Sequence, residues 1–166
     1  MPQIKVFNDN NRNYSVTSNG NVLGVLQYRY WYSSKAYITI GKEDEYTIER
    51  KGFWGNLHEV KHGGIVQLQL KTQWDGGIAI IKPKEKEHFY EFKRKCFFAN
   101  GYVLTNYKGE ELLLLKADFS WKKFTTGYTI DCSEDFCNNP FQHLLILLCV
   151  YHYKAAQAME VAAVAN

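Results

Sequence analysis

The segment 141–153, FQHLLILLCVYHY, constrains this chain more than any other stretch. Residues 144–151 form a run of eight with neither a charge nor an amide. A helix that is apolar all round has to be buried all round. The roughly 135 residues before it read almost wholly as strands and turns, so sheet is the only material available to enclose it. Asn138-Asn139-Pro140 is a start signal, because Asn accepts from free backbone N–H groups and Pro suits the first helical position. Leu and then Ala propagate the turn, which predicts a helix over 139–165. At about 100° per residue, Gln142, His143, Lys154, Gln157 and Glu160 share one third of the wheel, and His152 lies on the other side. The pattern is dry in the middle and wet at both ends, as for a rod threaded through something. A transmembrane span needs ~20 apolar residues. The run here stops at eight, between His143 and His152, so no span is expected.

The rest of the chain is punctuated as strands. Ser18-Asn19-Gly20-Asn21 carries the Asn-Gly signal of a tight hairpin. Gly41-Lys42-Glu43-Asp44, His62-Gly63-Gly64, Asp75-Gly76-Gly77, Asn100-Gly101 and Lys108-Gly109 mark further turns. Asn8 to Asn13 reads as a polar loop, and residues 82–87 as a charged loop holding Pro83. Ten to twelve strands result, at the spacing of an all-β barrel or sandwich, and aromatics at 16% suit strands. At 166 residues the chain is one domain, 1–166. Residues 46–56 align with 90–100 at five of eleven positions. A duplicated β unit explains this, as does chance likeness between two amphipathic strands.

Charge and cysteines narrow the function classes. A net charge of +3 and a pI near 8.6 are too mild for nucleic-acid binding. The N-terminus has no apolar signal segment. Cys96 and Cys149 fall in apolar surroundings, and Cys132 and Cys137 lack the partners of a zinc site. No metal or cofactor is implied, and a reduced, cytoplasmic protein, peripheral to a membrane at most, is the simplest account.

The candidate binding residues are basic. Lys82, Lys84 and Lys86 alternate and share one side if their segment stays extended, and Lys93, Arg94 and Lys95 follow. Together they form a candidate site for anionic lipid, although Glu85, Glu87 and Glu91 interleave. The plain alternative is a solvated hairpin guarding a sheet edge. Arg50 and Arg94 hold equivalent repeat positions at the ends of core-facing rows. Each either binds a phosphate with its planar fork or closes a salt bridge, to Glu59 or Asp118. Cys149 and His152 lie near one helix face, but a thiol in an apolar core is usually inert. Trp31, Trp54, Trp74 and Trp121 read as core or rim aromatics.

This layout, with Lys51-Gly52-Phe53-Trp54 and Phe119-Ser120-Trp121-Lys122 as the nearest local likenesses, resembles the tubby C-terminal-like superfamily: tubby proteins, phospholipid scramblases and, most similar, small LURP-one-related members. The resemblance implies a closed antiparallel barrel of about twelve strands around a central hydrophobic C-terminal helix. It also implies phosphoinositide binding of the tubby kind, for which Lys93-Arg94-Lys95 is similar to a Lys-x-Arg pair. Asp131, Glu134 and Asp135 stand where scramblases carry an acidic calcium segment, but fall short of a calcium loop. The expected function is a non-enzymatic binding domain, docking on anionic membrane lipid or a protein partner. The alternative is a lipocalin-like carrier of a small molecule or lipid, which needs the helix outside an open barrel.

Overall fold

A computed structural model describes residues 4–10, 12–30, 33–96, 99–120 and 125–165. Its strands are β1 (Ile4–Asp9), β2 (Asn13–Ser18), β3 (Asn21–Tyr28), β4 (Ala36–Ile40), β5 (Asp44–Lys51), β6 (Leu57–His62), β7 (Ile65–Thr72), β8 (Ile78–Lys82), β9 (Glu85–Cys96), β10 (Ala99–Asn106), β11 (Glu111–Ser120) and β12 (Thr125–Cys132). Each pairs antiparallel with its neighbours in sequence, and β1 pairs with β12, placing Ile4 opposite Ile130 and Val6 opposite Tyr128, so the sheet closes into a barrel. The Asn-Gly hairpin forms as read, with Asn19 at φ 51° and Gly20 at φ 81°, the left-handed pair that a two-residue turn requires.

β1 is absent from the sequence reading, and the polar loop expected from Asn8 to Asn13 is shorter, with Asn8 and Asp9 in β1 and Asn13 in β2. Ile4 and Val6 point inward while Lys5 and Phe7 face out; the outward Phe7 hides the alternation. The charged loop expected at 82–87 is a tight turn at Pro83-Lys84, with Lys84 at φ 70°, between β8 and β9.

A 3-10 turn (Asp135–Asn138) leads to α1 (Gln142–Val164). The helix starts later than the sequence suggested. Asn139 caps a turn ahead of it, its Oδ1 accepting from Phe141 N at 2.8 Å, and Pro140 lies outside it. Residues 144–150 point in every direction around the helix axis, yet none is more than 1% exposed. Side chains further along reach opposite walls. Tyr151 stacks on Tyr28 of β3, His152 meets Phe92 of β9 edge-on, and Tyr153 meets Tyr102 of β10 and Tyr128 of β12. The helix therefore runs inside the barrel, as its composition demanded. Burying its large side chains contributes roughly 1.5–3 kcal/mol each.

The wall accommodates the helix by thinning at one place. Gly24 of β3 lies under Leu147, and a methyl group built on it would stand 2.7 Å from Leu147 Cδ1 and 3.0 Å from the Thr39 carbonyl oxygen. No backbone requirement selects glycine there; the close approach does.

Antiparallel order fixes the two ends. The helix enters where β12 finishes, beside the β8–β9 turn, since Lys82 and His88 both contact the Phe141 ring. It leaves at the end carrying the β1–β2, β3–β4, β5–β6 and β7–β8 connections.

Candidate functional site

The expected basic site does not assemble. Lys82 and Lys84 sit at the entry end, and Lys93, Arg94 and Lys95 near the exit end of the same strand, about 30 Å away at roughly 3.3 Å per residue. The turn at Lys84 also breaks the alternation that would have put Lys82, Lys84 and Lys86 in one row; the Lys86 side chain lies outside the described residues. Several of these cations are already matched. Lys82 Nζ is 2.8 Å from Glu85, Lys95 Nζ 2.7 Å from Glu111, and Lys93 Nζ 3.5 Å from Glu91. One headgroup cannot bridge the two sets.

Arg94 differs from Lys93 and Lys95 because it keeps the inward phase of Tyr90 and Phe92. At the end of that row it faces the barrel mouth beside the departing helix. Arg50 does the same on β5. Both line a cleft of about 650 Å³ between α1 and the ends of β5 to β10. The repeat thus identified two residues that share one site, although among the described residues neither pairs with Glu59. Glu59 is taken by Lys51 at 2.6 Å and Lys61 at 3.5 Å. Arg50 instead donates from Nη2 to the Phe53 carbonyl at 3.3 Å. Its guanidinium lies directly on Gly55, which takes φ 67°, so a side chain at 55 would displace it. Among the described residues no carboxylate pairs with Arg50. Arg94 Nη1 is 3.8 Å from Glu160 Oε1, with both side chains about half exposed, a geometry worth little in water. The Asp118 side chain lies outside the described residues.

The cleft floor is apolar: Leu70, Ile78, Tyr102 and Tyr151 from below, Ala155 and Ala156 from the helix. The helix fills the barrel with Leu and Ile and then shrinks to Ala, and the cleft opens at that level. His58 and His152 also line it. Burial, with the charge of Arg50 second, lowers the His58 pKa, and burial lowers that of His152. His152 Nε2 lies 2.9 Å from the Gly76 carbonyl, so that nitrogen carries the proton and donates. Tyr151 donates to the Ser34 carbonyl at 2.6 Å, tying the helix to the β3–β4 connection. Lys154 projects over the Tyr28 ring at 3.4 Å from its centroid.

Exposed apolar side chains crowd the same end. Trp54 and Trp74 are 86% and 99% exposed, at the tips of the β5–β6 and β7–β8 connections. They are rim residues and not core; Trp31 and Trp121 lie outside the described residues. Phe53 packs edge-on to Trp54. Past the mouth, α1 presents Met159, Val161 and Val164 to solvent. Arg12, Arg29 and Lys71 stand on the connections and strand ends here, and among the described residues none forms an ion pair. Asp9, Asp75 and Glu160 oppose them.

The Cys149–His152 pair has no catalytic geometry. The Cys149 thiol is fully buried, which pushes its pKa well up, and His152 is engaged by Gly76. Cys132 is pushed up to about 12 by burial.

No protein-family model matches the chain, and no curated protein matches it. A solved X-ray structure of a protein from Arabidopsis thaliana is similar in fold, with a TM-score of 0.55 at 14% identity over 89% of this chain and 88% of that one. A likeness at that identity supports the barrel and says nothing of function.

Proposed function

We propose that this chain is a non-enzymatic docking module that settles on anionic membrane surfaces with the helix-exit end of its barrel. The observation that carries the reading is the meeting, at that end, of exposed Trp54, Trp74, Phe53 and the apolar helix tail with Arg12, Arg29, Lys71 and Arg94. Tryptophan prefers the membrane–water interface, and a basic residue near an anionic leaflet contributes about 1 kcal/mol. Among the described residues no helix is long and apolar enough to cross a membrane, so attachment through this helix would be peripheral. The tubby-like resemblance supports a lipid partner, and a cytoplasmic location fits the four-cysteine composition, in which Cys132, Cys137 and Cys149 are free.

Vesicle sedimentation tests this, using phosphatidylcholine with and without phosphatidylserine or a phosphoinositide. Binding to the anionic vesicles should weaken steeply with salt. Arg29→Ala with Lys71→Ala should cost about 2 kcal/mol of binding, and Trp74→Ser should weaken it further. Lys82→Ala with Lys84→Ala, at the opposite end, should change little. No sedimentation at low salt sinks the reading. Loss through Lys82 and Lys84 alone would move the docking face to the entry end, and a protein partner would then be the better account of the aromatic rim.

A lipocalin-like cavity along the barrel axis is occupied by α1, so the carrier alternative cannot use the barrel interior. Clefts on either side of α1 at the barrel mouth, of about 650 and 930 Å³, have room for a ligand.

A further inference from the structure

We propose that the cleft on the β2–β3 side of the departing helix binds an uncharged apolar compound whose ketone or alcohol oxygen accepts from the Tyr14 and Tyr28 hydroxyls. This goes beyond membrane docking, because it concerns one ligand molecule and two side chains that take no part in the docking face.

The cleft has a volume of about 930 Å³ and lies between α1 and the ends of β1, β2, β3 and β12. That is within the range of small-molecule sites, which are mostly apolar with a few placed polar groups. Tyr14 and Tyr28 line it and are only 2% and 5% exposed. Other buried tyrosines at this mouth have hydroxyl partners. Tyr128 donates to Gln157 Oε1 at 3.1 Å, Tyr153 accepts from Gln157 Nε2 at 3.1 Å, and Tyr151 donates to the Ser34 carbonyl. Among the described residues the hydroxyls of Tyr14 and Tyr28 have none. No fully enclosed side-chain oxygen or nitrogen among the described residues lacks a partner, so these two oxygens reach open space, and the cleft is the space they line. Buried tyrosine hydroxyls ordinarily find a partner, and here it has to come from outside the chain.

The surroundings select the ligand. Tyr14 packs edge-on to Tyr28 with centroids 6.2 Å apart and stacks with Tyr128 at 6.5 Å, while Tyr28 stacks on Tyr151 at 5.9 Å. Both hydroxyls are therefore held in place before any ligand arrives. Burial raises both pKa values, that of Tyr14 to about 12, so both stay protonated and able to donate near pH 7. The helix wall offers Ala155, Ala158 and Met159, an apolar strip along which a chain leaves water. Among the described residues the charged groups lining the cleft are Lys154 and Glu160, one of each sign, and Lys154 is already engaged over the Tyr28 ring at 3.4 Å. Neither sign of charge is favoured, so the head is an uncharged oxygen.

Titration calorimetry of the full chain in vesicle-free buffer, below the micelle threshold of each probe, tests this. The probes are 2-decanone, 1-decanol, decanoate and decylammonium. Saturable one-to-one binding of decanone, decanol or both supports the proposal, and the stronger of the two identifies the head. Decanoate and decylammonium should each bind at least tenfold more weakly. Tyr14→Phe and Tyr28→Phe should each weaken binding about fivefold, the share of one neutral hydrogen bond. Both should leave the urea midpoint unchanged, because neither hydroxyl bonds within the protein. Ala158→Phe, at an exposed helix position, should abolish binding by filling the cleft. Circular dichroism confirms that each variant is folded, and if Ala158→Phe unfolds the chain the two tyrosine variants decide alone. Trp74→Ser should leave decanone and decanol binding unchanged while reducing vesicle binding, which separates the two proposals. Absence of binding by the folded chain, binding indifferent to both hydroxyls, or an ion binding as tightly as decanone and decanol overturns the inference.

Discussion

Gly24→Ala tests the threaded helix at the point where it comes nearest the wall. The added methyl would sit 2.7 Å from Leu147 Cδ1, and the Thr39 carbonyl at 3.0 Å blocks escape along the sheet. Overpacking of this kind costs about 1–3 kcal/mol. Alanine itself is favoured over glycine within a strand by roughly 0.5–1 kcal/mol, leaving a net destabilisation of about 0.5–2 kcal/mol. Leu147→Ala alone should cost about 2–5 kcal/mol, for lost burial and the cavity left behind. The double variant is the sharper measurement. Removing Leu147 vacates the space the new methyl needs, so the two changes together should cost at least about 1 kcal/mol less than their sum, within the coupling expected of residues in contact. Urea unfolding followed by circular dichroism gives all four stabilities, and a chain of this size should show roughly 2–4 °C of Tm per kcal/mol. Additivity within about 0.5 kcal/mol, or a Gly24→Ala protein more stable than the parent, would refute the packing argument.

Three further outcomes follow from the same interior. Amides of residues 145–151 should exchange only through global unfolding, whereas those of residues 159–164 exchange rapidly; a separate, faster opening of the central segment would place the helix outside. Stability should be complete above pH 6.5, the ordinary histidine value, and fall as pH drops toward 5, because the unfolded chain takes up protons that buried His58 and His152 resist. Glu49 and Glu59 are shifted below 4.5 and act only in more acid solution. His58→Gln and His152→Gln should each flatten the slope in urea midpoints, and an unchanged slope in both counts against it. Tyr151→Phe should cost about 1 kcal/mol through loss of the hydroxyl bond to the half-exposed loop at Ser34, and no change in midpoint would show that bond to be inert.

The helix and its enclosure were legible because one eight-residue run admits few solutions and the turns were marked by Gly and Asn. β1 was not, since the outward Phe7 removes the alternation that reveals a half-buried strand. The pairing of Arg50 with Arg94 was visible in the repeat and in strand phase. Lys82 and Lys84 stand apart from Lys93, Arg94 and Lys95 because the length of β9 lies between them. Residue type left Trp54 and Trp74 between core and rim, and their place at connection tips puts them on the rim. The cleft depends on where the helix changes from Leu to Ala relative to the barrel rim, a register that no local pattern encodes.

A barrel with its core element last in sequence has a consequence for synthesis. All twelve strands leave the ribosome before Gln142, and their inward rows have nothing to close upon until the helix follows. The final seam, β1 against β12, joins residues such as Ile4 and Ile130, among the most distant contacts the chain makes and slow to form for that reason. The nascent sheet must therefore remain open, its apolar lining exposed, until the helix is available. A ribosome-stalled chain ending before Phe141 should accordingly be cut by protease where the released chain resists, making this fold dependent on being completed before it can protect itself.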